Sequence, residues 1–219
     1  MSQQLPPEPR FYELSDLLAA YANTGFTFSD TAETPGPGLA SYLRIATRHP
    51  ARAVTAVQQI DDLLSVGLFS EEIADDIENL PHIRPPMGTS VEDCLRVVRD
   101  HLRRFLEDPS QIPMMNPQNH WEWNERFPEL SQLLGAYFHQ NFSYFYDSRD
   151  QALDEYVGEV LPEDRAQAAQ ELGELLTMVS SDQELHTATT ALGLSLLPPQ
   201  GMSLRQWLEM IRDRIAAAE

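Results

Sequence analysis

The residues most able to do chemistry are two groups of neighbouring acids, since paired carboxylates can hold a metal ion or transfer protons. The two groups are Asp61-Asp62 and Asp75-Asp76-Ile77-Glu78. Both lie in stretches with helical periodicity, where adjacent side chains point about 100° apart and do not share a site. We therefore interpret both groups as solvated acidic helix faces rather than as metal or acid–base centres.

The other reactive residue types form no catalytic or metal-binding motif. The histidines are scattered without an HExxH or His-x₃-His pair, and the chain contains no GxSxG, P-loop or GxGxxG sequence. It also contains no lysine, which excludes Schiff-base and P-loop lysine chemistry. The single cysteine, Cys94, excludes an intramolecular disulfide and is interpreted as a small apolar helix residue. The sequence thus predicts a protein that is not an enzyme and uses no metal or cofactor.

An aromatic stretch, YFHQNFSYFYD at residues 137–147, is the strongest candidate for a binding site. Helical spacing assigns its first half to the core, whereas Tyr144 and Tyr146 alternate with Phe145 and could direct their hydroxyls outward. Tyrosines bordered by acids are typical of the anchors and rim of a protein interface. The predicted partner-binding residues are His139, Asn141, Tyr144, Tyr146, Asp147, Asp150, Asp154 and Glu155. An equally weighted alternative is that this loop only packs against the last helix.

The overall charge restricts the kinds of partner. The net charge is −19, from 34 acids and 15 arginines, so nucleic acid and anionic membranes would be repelled. No apolar run approaches the ~20 residues that span a bilayer, and the N-terminus MSQQLPPEPR lacks the features of a secretory signal. We therefore expect a cytoplasmic protein, a monomer when free, that binds a basic protein partner.

Two stretches of the sequence occur twice. RFYELSDLLAAYANTGF at residues 10–26 matches RFPELSQLLGAYFHQNF at residues 126–142, and residues 85–102 match residues 198–215. A repeat this long predicts one module used twice. We expect tandem modules at residues 10–106 and 126–217, joined by a linker over residues 107–125 whose prolines favour extended backbone. Trp121 and Trp123, at the end of this linker, are expected to pack across the junction.

Hydrophobic periodicity, proline positions and capping residues predict an all-α fold with about five helices in each module. The helices of the first module are expected at residues 12–23, 39–48, 50–66, 70–79 and 91–106. Those of the second are expected at residues 128–139, 150–160, 163–180, 183–192 and 204–215.

The second module resembles a known family. RFPELSQLLGAYFHQNF, the acidic segment SRDQALDEYVGEVLPEDRAQAAQELGELL and PPQGMSLRQWLEMIRDRI are similar to the small immunity proteins of contact-dependent growth inhibition and related polymorphic toxin systems. The resemblance covers residues 126–215, with Asn141 where the family commonly has Asp. The first module resembles a diverged copy, in which Cys94 aligns with Trp207.

This resemblance implies a stoichiometric inhibitor that binds and neutralises a cognate toxin domain. Many such toxins are nucleases with a basic substrate face, which suits the acidity of this chain. The second module is favoured for binding, because its aromatic loop and motif are better kept. The alternative is an acidic helical adaptor or chaperone for a basic client. A third hypothesis, a metal-dependent hydrolase using the paired acids, predicts that divalent ions shift the melting temperature.

Overall fold

The all-α prediction is confirmed. A computed structural model describes residues 9–217 apart from 69, 79 and 114, and within these residues it contains helices and turns with no β-strand. One isolated parallel bridge joins Thr27 to Arg84. The chain divides into two compact units between Glu122 and Trp123.

The first unit contains six of the α-helices that begin in the described part of the chain. They are α1 (Tyr12–Ala19), α2 (Pro37–Ala46), α3 (Pro50–Val66), α4 (Ala74–Ile77), α5 (Val91–Glu107) and α6 (His120–Arg126), the last of which ends beyond the division. Short 3₁₀ turns cover Ala20–Thr24, Glu71–Ile73 and Pro109–Gln111. Helix α3 has its predicted bounds, since Pro50 provides the fixed φ of a first turn and Gly67 follows its last residue.

The core of the first unit forms where α1, α2, α3 and α5 meet. It includes Leu14 and Leu17 of α1, Leu39 of α2, Ile60 of α3 and Val98 of α5, all without measurable exposure. These positions repeat at helical spacing along amphipathic sequences, so burying their apolar stripes drives the assembly.

Part of the predicted linker packs against this core instead of running free as extended backbone. Ile112 and Trp121 pack on the core, and the Trp121 ring lies 6.4 Å from that of Tyr42. Asn119 Nδ2 donates a hydrogen bond to Ser41 Oγ at 2.8 Å. The first unit therefore holds these parts of the predicted linker.

Within the described residues, the second unit contains five further α-helices, one π-helical turn, and a 3₁₀ turn at Phe142–Tyr144. The α-helices are α7 (Pro128–Gln132), α8 (Arg149–Glu159), α9 (Pro162–Met178), α10 (Asp182–Ala191) and α11 (Leu204–Ala216), and the π-turn is Leu133–Tyr137. The continuous α-helix predicted for residues 128–139 was wrong in this respect, because its second half widens into the π-turn.

The core of the second unit is centred on Trp207 of α11. Its ring meets that of Phe138 edge to face at 5.5 Å, and both are almost fully buried. Trp123 stacks on Phe127 at 5.9 Å within this core. At the start of α11, Ser203 and Gln206 form a capping box that satisfies two backbone N–H groups.

Gly193 allows the backbone of the π-turn to approach the end of α10. A Cβ atom on Gly193 would lie 2.6 Å from the Cα of Gly135, and Gly193 has a φ of +96°. Only glycine meets both requirements, the close backbone approach and the positive φ. The connection after α10 is therefore held directly against the turn that precedes the aromatic stretch.

We expect Gly193→Ala to lower the free energy of unfolding by about 3 kcal/mol, through strain at positive φ and the clash with Gly135. Urea unfolding measures this change. The control is Gly158→Ala in α8, where an added Cβ meets no atom within 4 Å. This control should be stabilising by about 0.5 kcal/mol. Equal midpoints for the two variants would contradict the close approach.

Candidate functional site

The aromatic loop, residues 138–148, connects the π-turn to α8. Phe138 is buried at its start, and Ser148 at its end accepts the Gln151 N–H as the cap of α8. His139 lies half-buried, with its ring 5.7 Å from that of Phe145. The exposed Asn141 donates its backbone N–H to His139 Nδ1 at 3.0 Å. The loop is thus held by short-range contacts at both ends.

The tip of this loop presents two aromatic side chains to solvent. Tyr144 is 85% exposed and Phe145 is 66% exposed. The sequence predicted that the Tyr146 hydroxyl could point outward. Instead, the Tyr146 ring is half-buried and its hydroxyl donates to Glu155 Oε1 at 3.2 Å. Burial, and then the hydrogen bond to Glu155, raises the pKa of Tyr146 to about 12. Phe145 therefore takes the exposed position that the sequence had given to Tyr146.

The acids predicted beside the loop lie on the exposed side of its end and of α8, but not all of them carry a free charge. Arg214 of α11 donates to Asp150 Oδ1 at 2.6 Å and also to Asp154. Asp147 is exposed, and its backbone N–H donates to Gln151. The structure therefore gathers all eight predicted residues in one region, with Asp150 and Asp154 already paired to a cation.

Three tyrosines form a continuous row that extends from this loop. Tyr146 stacks on Tyr137 at 6.3 Å between ring centroids, and Tyr137 meets Tyr156 edge to face at 5.2 Å. The Tyr137 hydroxyl donates to Glu159 at 3.4 Å. The row thus connects the aromatic loop with the buried side of α8.

The corresponding place in the first unit contains a completed polar network. Glu13 is buried and accepts hydrogen bonds from the Tyr42 hydroxyl at 2.6 Å and from Arg52 Nε at 2.9 Å. The Arg52 guanidinium also lies over the Tyr42 ring, 5.7 Å from its centroid. Burial, followed by the bond to Glu13, raises the pKa of Tyr42 far above its ordinary value. Glu13, Tyr42 and Arg52 thus each have a hydrogen-bond partner within this network.

The second unit keeps the carboxylate and the tyrosine of this network but not the cation. Glu129 follows Glu13 at the repeat offset of 116, and Tyr156 is a buried tyrosine of α8 as Tyr42 is of α2. Helices α3 and α9 both start at a proline, Pro50 and Pro162, and this register places Asp164 where the first unit has Arg52. The Tyr156 hydroxyl is buried without a hydrogen-bond partner among the described residues.

One further contact occurs in both units. Leu14 N–H donates to Gln59 Oε1 at 2.8 Å, and Leu130 N–H donates to Glu171 Oε2 at 2.9 Å. Each of these side chains accepts a hydrogen bond from a backbone N–H in the first turn of a helix. Such an N–H has no carbonyl partner within its own helix. In the second unit the acceptor is an acid, and burial raises the pKa of Glu171 despite the backbone bond that favours its ionised form.

These exchanges leave the buried hydroxyl of Tyr156 under the electrostatic influence of three acids. Burial, and then the charges of Glu129 and other neighbours including Asp164 and Glu171, raises the pKa of Tyr156. The pKa of Glu129 is also raised, by burial and by Asp164. We call the group Glu129, Tyr156, Asp164 and Glu171 the acidic slot.

Sequence reasoning missed the acidic slot, although a signal for it was present. Aligning Pro50 with Pro162 shows Arg52 replaced by Asp164 and Gln59 replaced by Glu171. The identities between the two copies predict their shared fold, whereas the slot appears only in the differences between them. The burial of Tyr156 and the lack of a partner for its hydroxyl required the structure.

The neighbouring acids Asp61 and Asp62 bind different arginines and do not form one site. Asp61 accepts from Arg103 at 2.6 Å, while its neighbour Asp62 accepts from Arg10 at 2.9 Å. Over the residues that the structure describes, no group of three histidine, cysteine or acidic side chains is arranged to hold a metal ion.

Cys94 is fully buried, and burial raises the pKa of its thiol to about 11. None of the helices in the described part of the chain is long and apolar enough to cross a membrane.

The model of the CdiI immunity protein family matches residues 126–215. The matched segment contains the aromatic loop and the acidic slot. Comparisons with curated proteins and with solved structures gave no significant match.

The two networks predict opposite responses to loss of a tyrosine hydroxyl. Tyr42→Phe should lower the free energy of unfolding by about 2 kcal/mol, because it removes a hydrogen bond to a buried carboxylate. Tyr156→Phe should leave stability unchanged or raise it, because that hydroxyl has no partner among the described residues. Urea denaturation of both variants measures the difference. A similar loss in both would show that Tyr156 has a partner in solution.

The raised pKa of Glu171 predicts a pH-dependent effect of Glu171→Gln. A carboxyl with a raised pKa in the folded state adds stability below its unfolded pKa, and this stability is lost as the pH rises through the folded pKa. The variant should therefore be more stable than the parent at pH 7, by an amount that shrinks as the pH falls. Asp93→Asn is the comparison of opposite sign, because the Ser90 hydroxyl lowers the pKa of Asp93. It should destabilise at pH 7, and denaturation at several pH values checks both.

Proposed function

We propose that this protein is an immunity protein that binds a cognate toxin domain of a contact-dependent growth inhibition system and neutralises it stoichiometrically. The match of residues 126–215 to the CdiI immunity protein family is the observation that carries this proposal. The protein acts by binding, without catalysis or a cofactor. It is a monomer when free and meets the toxin in the cytoplasm.

The surface proposed to bind the toxin is centred on the aromatic loop. Tyr144 and Phe145 supply exposed rings of the kind that dominate binding energy in protein interfaces. His139 and Asn141 flank them, and the acids that end the loop and line α8 form a negative rim. The proposed acidic contacts are Asp147, Asp150, Asp154 and Glu155.

The partner domain is proposed to be basic. The chain carries a net charge of −19, which repels nucleic acid and attracts a protein with a positive surface. A nuclease toxin has such a surface where it binds its substrate. Opposite fields raise association rates by about 10- to 1000-fold at low salt, which would favour rapid capture of an incoming toxin.

We further propose that residues 10–106 of the first unit are a diverged copy of the domain at residues 126–217. Matching contacts support this assignment, since Arg10 binds Asp62 where Arg126 binds Glu174. Ser90 begins α5 with a capping box as Ser203 begins α11. The completed network of Glu13, which leaves no free carboxylate at that place, favours a supporting role for this copy.

An acidic adaptor or chaperone for a basic client is the second candidate, favoured by the same charge. The two functions differ in outcome, because an immunity protein abolishes the toxic activity of its partner. Co-expression with the toxin domain encoded by the neighbouring gene should restore growth and give a 1:1 complex on size-exclusion chromatography. Failure of the purified pair to associate at micromolar concentration would contradict the proposal, and association without restored growth would favour the adaptor.

Loss of the exposed rings should weaken the complex without unfolding the protein. We expect Tyr144→Ser and Phe145→Ser each to reduce toxin affinity about 10-fold or more, since both rings are free to be buried by a partner. Met87→Ser in the first unit is the matched control, because Met87 is also a fully exposed apolar residue. Isothermal titration calorimetry measures the affinities. Equal affinities for all three variants would place the interface elsewhere.

A further inference from the structure

The acidic slot of the second unit lacks the cation that the first unit provides from its own chain. We propose that the slot binds an arginine side chain of the protein partner, which enters between Glu129 and Asp164 and donates toward the Tyr156 hydroxyl. This inference rests on the proposed function, in which the partner is a basic protein, and it assigns one contact within that complex.

The first unit shows how an arginine satisfies this arrangement. Arg52 Nε donates to both carboxylate oxygens of Glu13, at 2.9 and 3.1 Å, while its guanidinium lies 5.7 Å from the centroid of the Tyr42 ring. The same guanidinium also reaches Asp16 at 3.3 Å. A planar group with several donors can meet carboxylates and an aromatic ring at once, which a lysine ammonium does less well.

The second unit has the matching acceptors without such a donor. Tyr156 is fully buried and its hydroxyl has no partner in the part of the chain that the structure describes, although a tyrosine hydroxyl can both donate and accept. Glu129 and Asp164 are half-exposed, so a side chain from outside can reach them. Burial and the charge of Asp164 disfavour ionisation of Glu129, and a cation between the two acids would offset that repulsion.

No arginine of the second unit fills this position. Arg165 follows Asp164 directly, but it occupies the inward position that Ala53 has in α3. Its Nε is buried without a hydrogen-bond partner among the described residues. A metal ion is a poor alternative occupant, because the described acids include no cluster suited to a metal.

The slot is continuous with the surface proposed to bind the toxin. The row Tyr146, Tyr137 and Tyr156 joins the aromatic loop to the slot through ring contacts of 6.3 and 5.2 Å. A partner that covers Tyr144 and Phe145 can therefore extend along α8 and place a basic side chain at Asp164. The aromatic loop would supply apolar anchoring, and the slot would supply a charge-specific contact.

The test is to give the second unit the arginine of the first. In the full chain, Asp164→Arg should occupy the slot internally and reduce affinity for the toxin domain of the neighbouring gene about 30-fold or more. Glu163→Arg is the matched control, because it makes the same charge change on the same turn at an exposed residue. We expect it to reduce affinity less than about 5-fold, as for a rim charge. The melting temperature of Asp164→Arg should equal or exceed that of Glu163→Arg.

A small probe separates failure of this inference from failure of the proposed function. N-acetyl-L-arginine amide should shift the NMR signals of Glu129 and Tyr156 at millimolar concentration, whereas the neutral citrulline analogue should not. Asp164→Arg should abolish these shifts. Equal loss of toxin affinity in the Asp164 and Glu163 variants, or shifts that persist in Asp164→Arg, would overturn the slot while leaving toxin binding intact. Absence of any complex with the parent chain would instead overturn the proposed function.

Discussion

The second unit depends on a hydrogen bond between the middle of α9 and the start of α7. The α7 helix has only five residues, and its first N–H groups cannot be satisfied within so short a helix. Glu171 accepts the Leu130 N–H from the side and fixes where α7 begins. The π-turn, the aromatic loop and α8 follow α7 along the chain, so this hydrogen bond holds the helix from which the proposed binding region continues. Gln59 performs the same task for α1 without a charge.

The use of an acid at this place has a cost that the rest of the slot increases. Burial disfavours ionised Glu171, and Glu129 adds repulsion where the first unit has a neutralised carboxylate. Natural sequences keep such conflicts mainly where function requires them. Binding of a basic group from outside would offset the repulsion. This difference is consistent with a first unit whose acids are neutralised by its own arginine and a second unit whose acids are neutralised when a partner binds.

Much of the fold follows from the local sequence. Proline at a first turn, serine caps and apolar residues at helical spacing specify α3, α5 and α11 close to their observed ends. The π-turn at Leu133–Tyr137 could not be predicted this way, because it arises where the backbone of Gly135 meets Gly193, which is distant in sequence. The packing of Trp121 on the first core depends likewise on contacts that spacing does not reveal.

The sequence by itself determined the helical class, the repeat, the acidity and the region that carries the aromatic loop, because composition and periodicity are local properties. Tertiary structure decided which of those residues remain available. It placed Phe145 outward and turned the Tyr146 hydroxyl to Glu155, and it paired Asp150 with Arg214. It also buried the Tyr156 hydroxyl without a partner among the described residues. Availability depends on burial and on partners from other helices, and both exist only once the chain has folded.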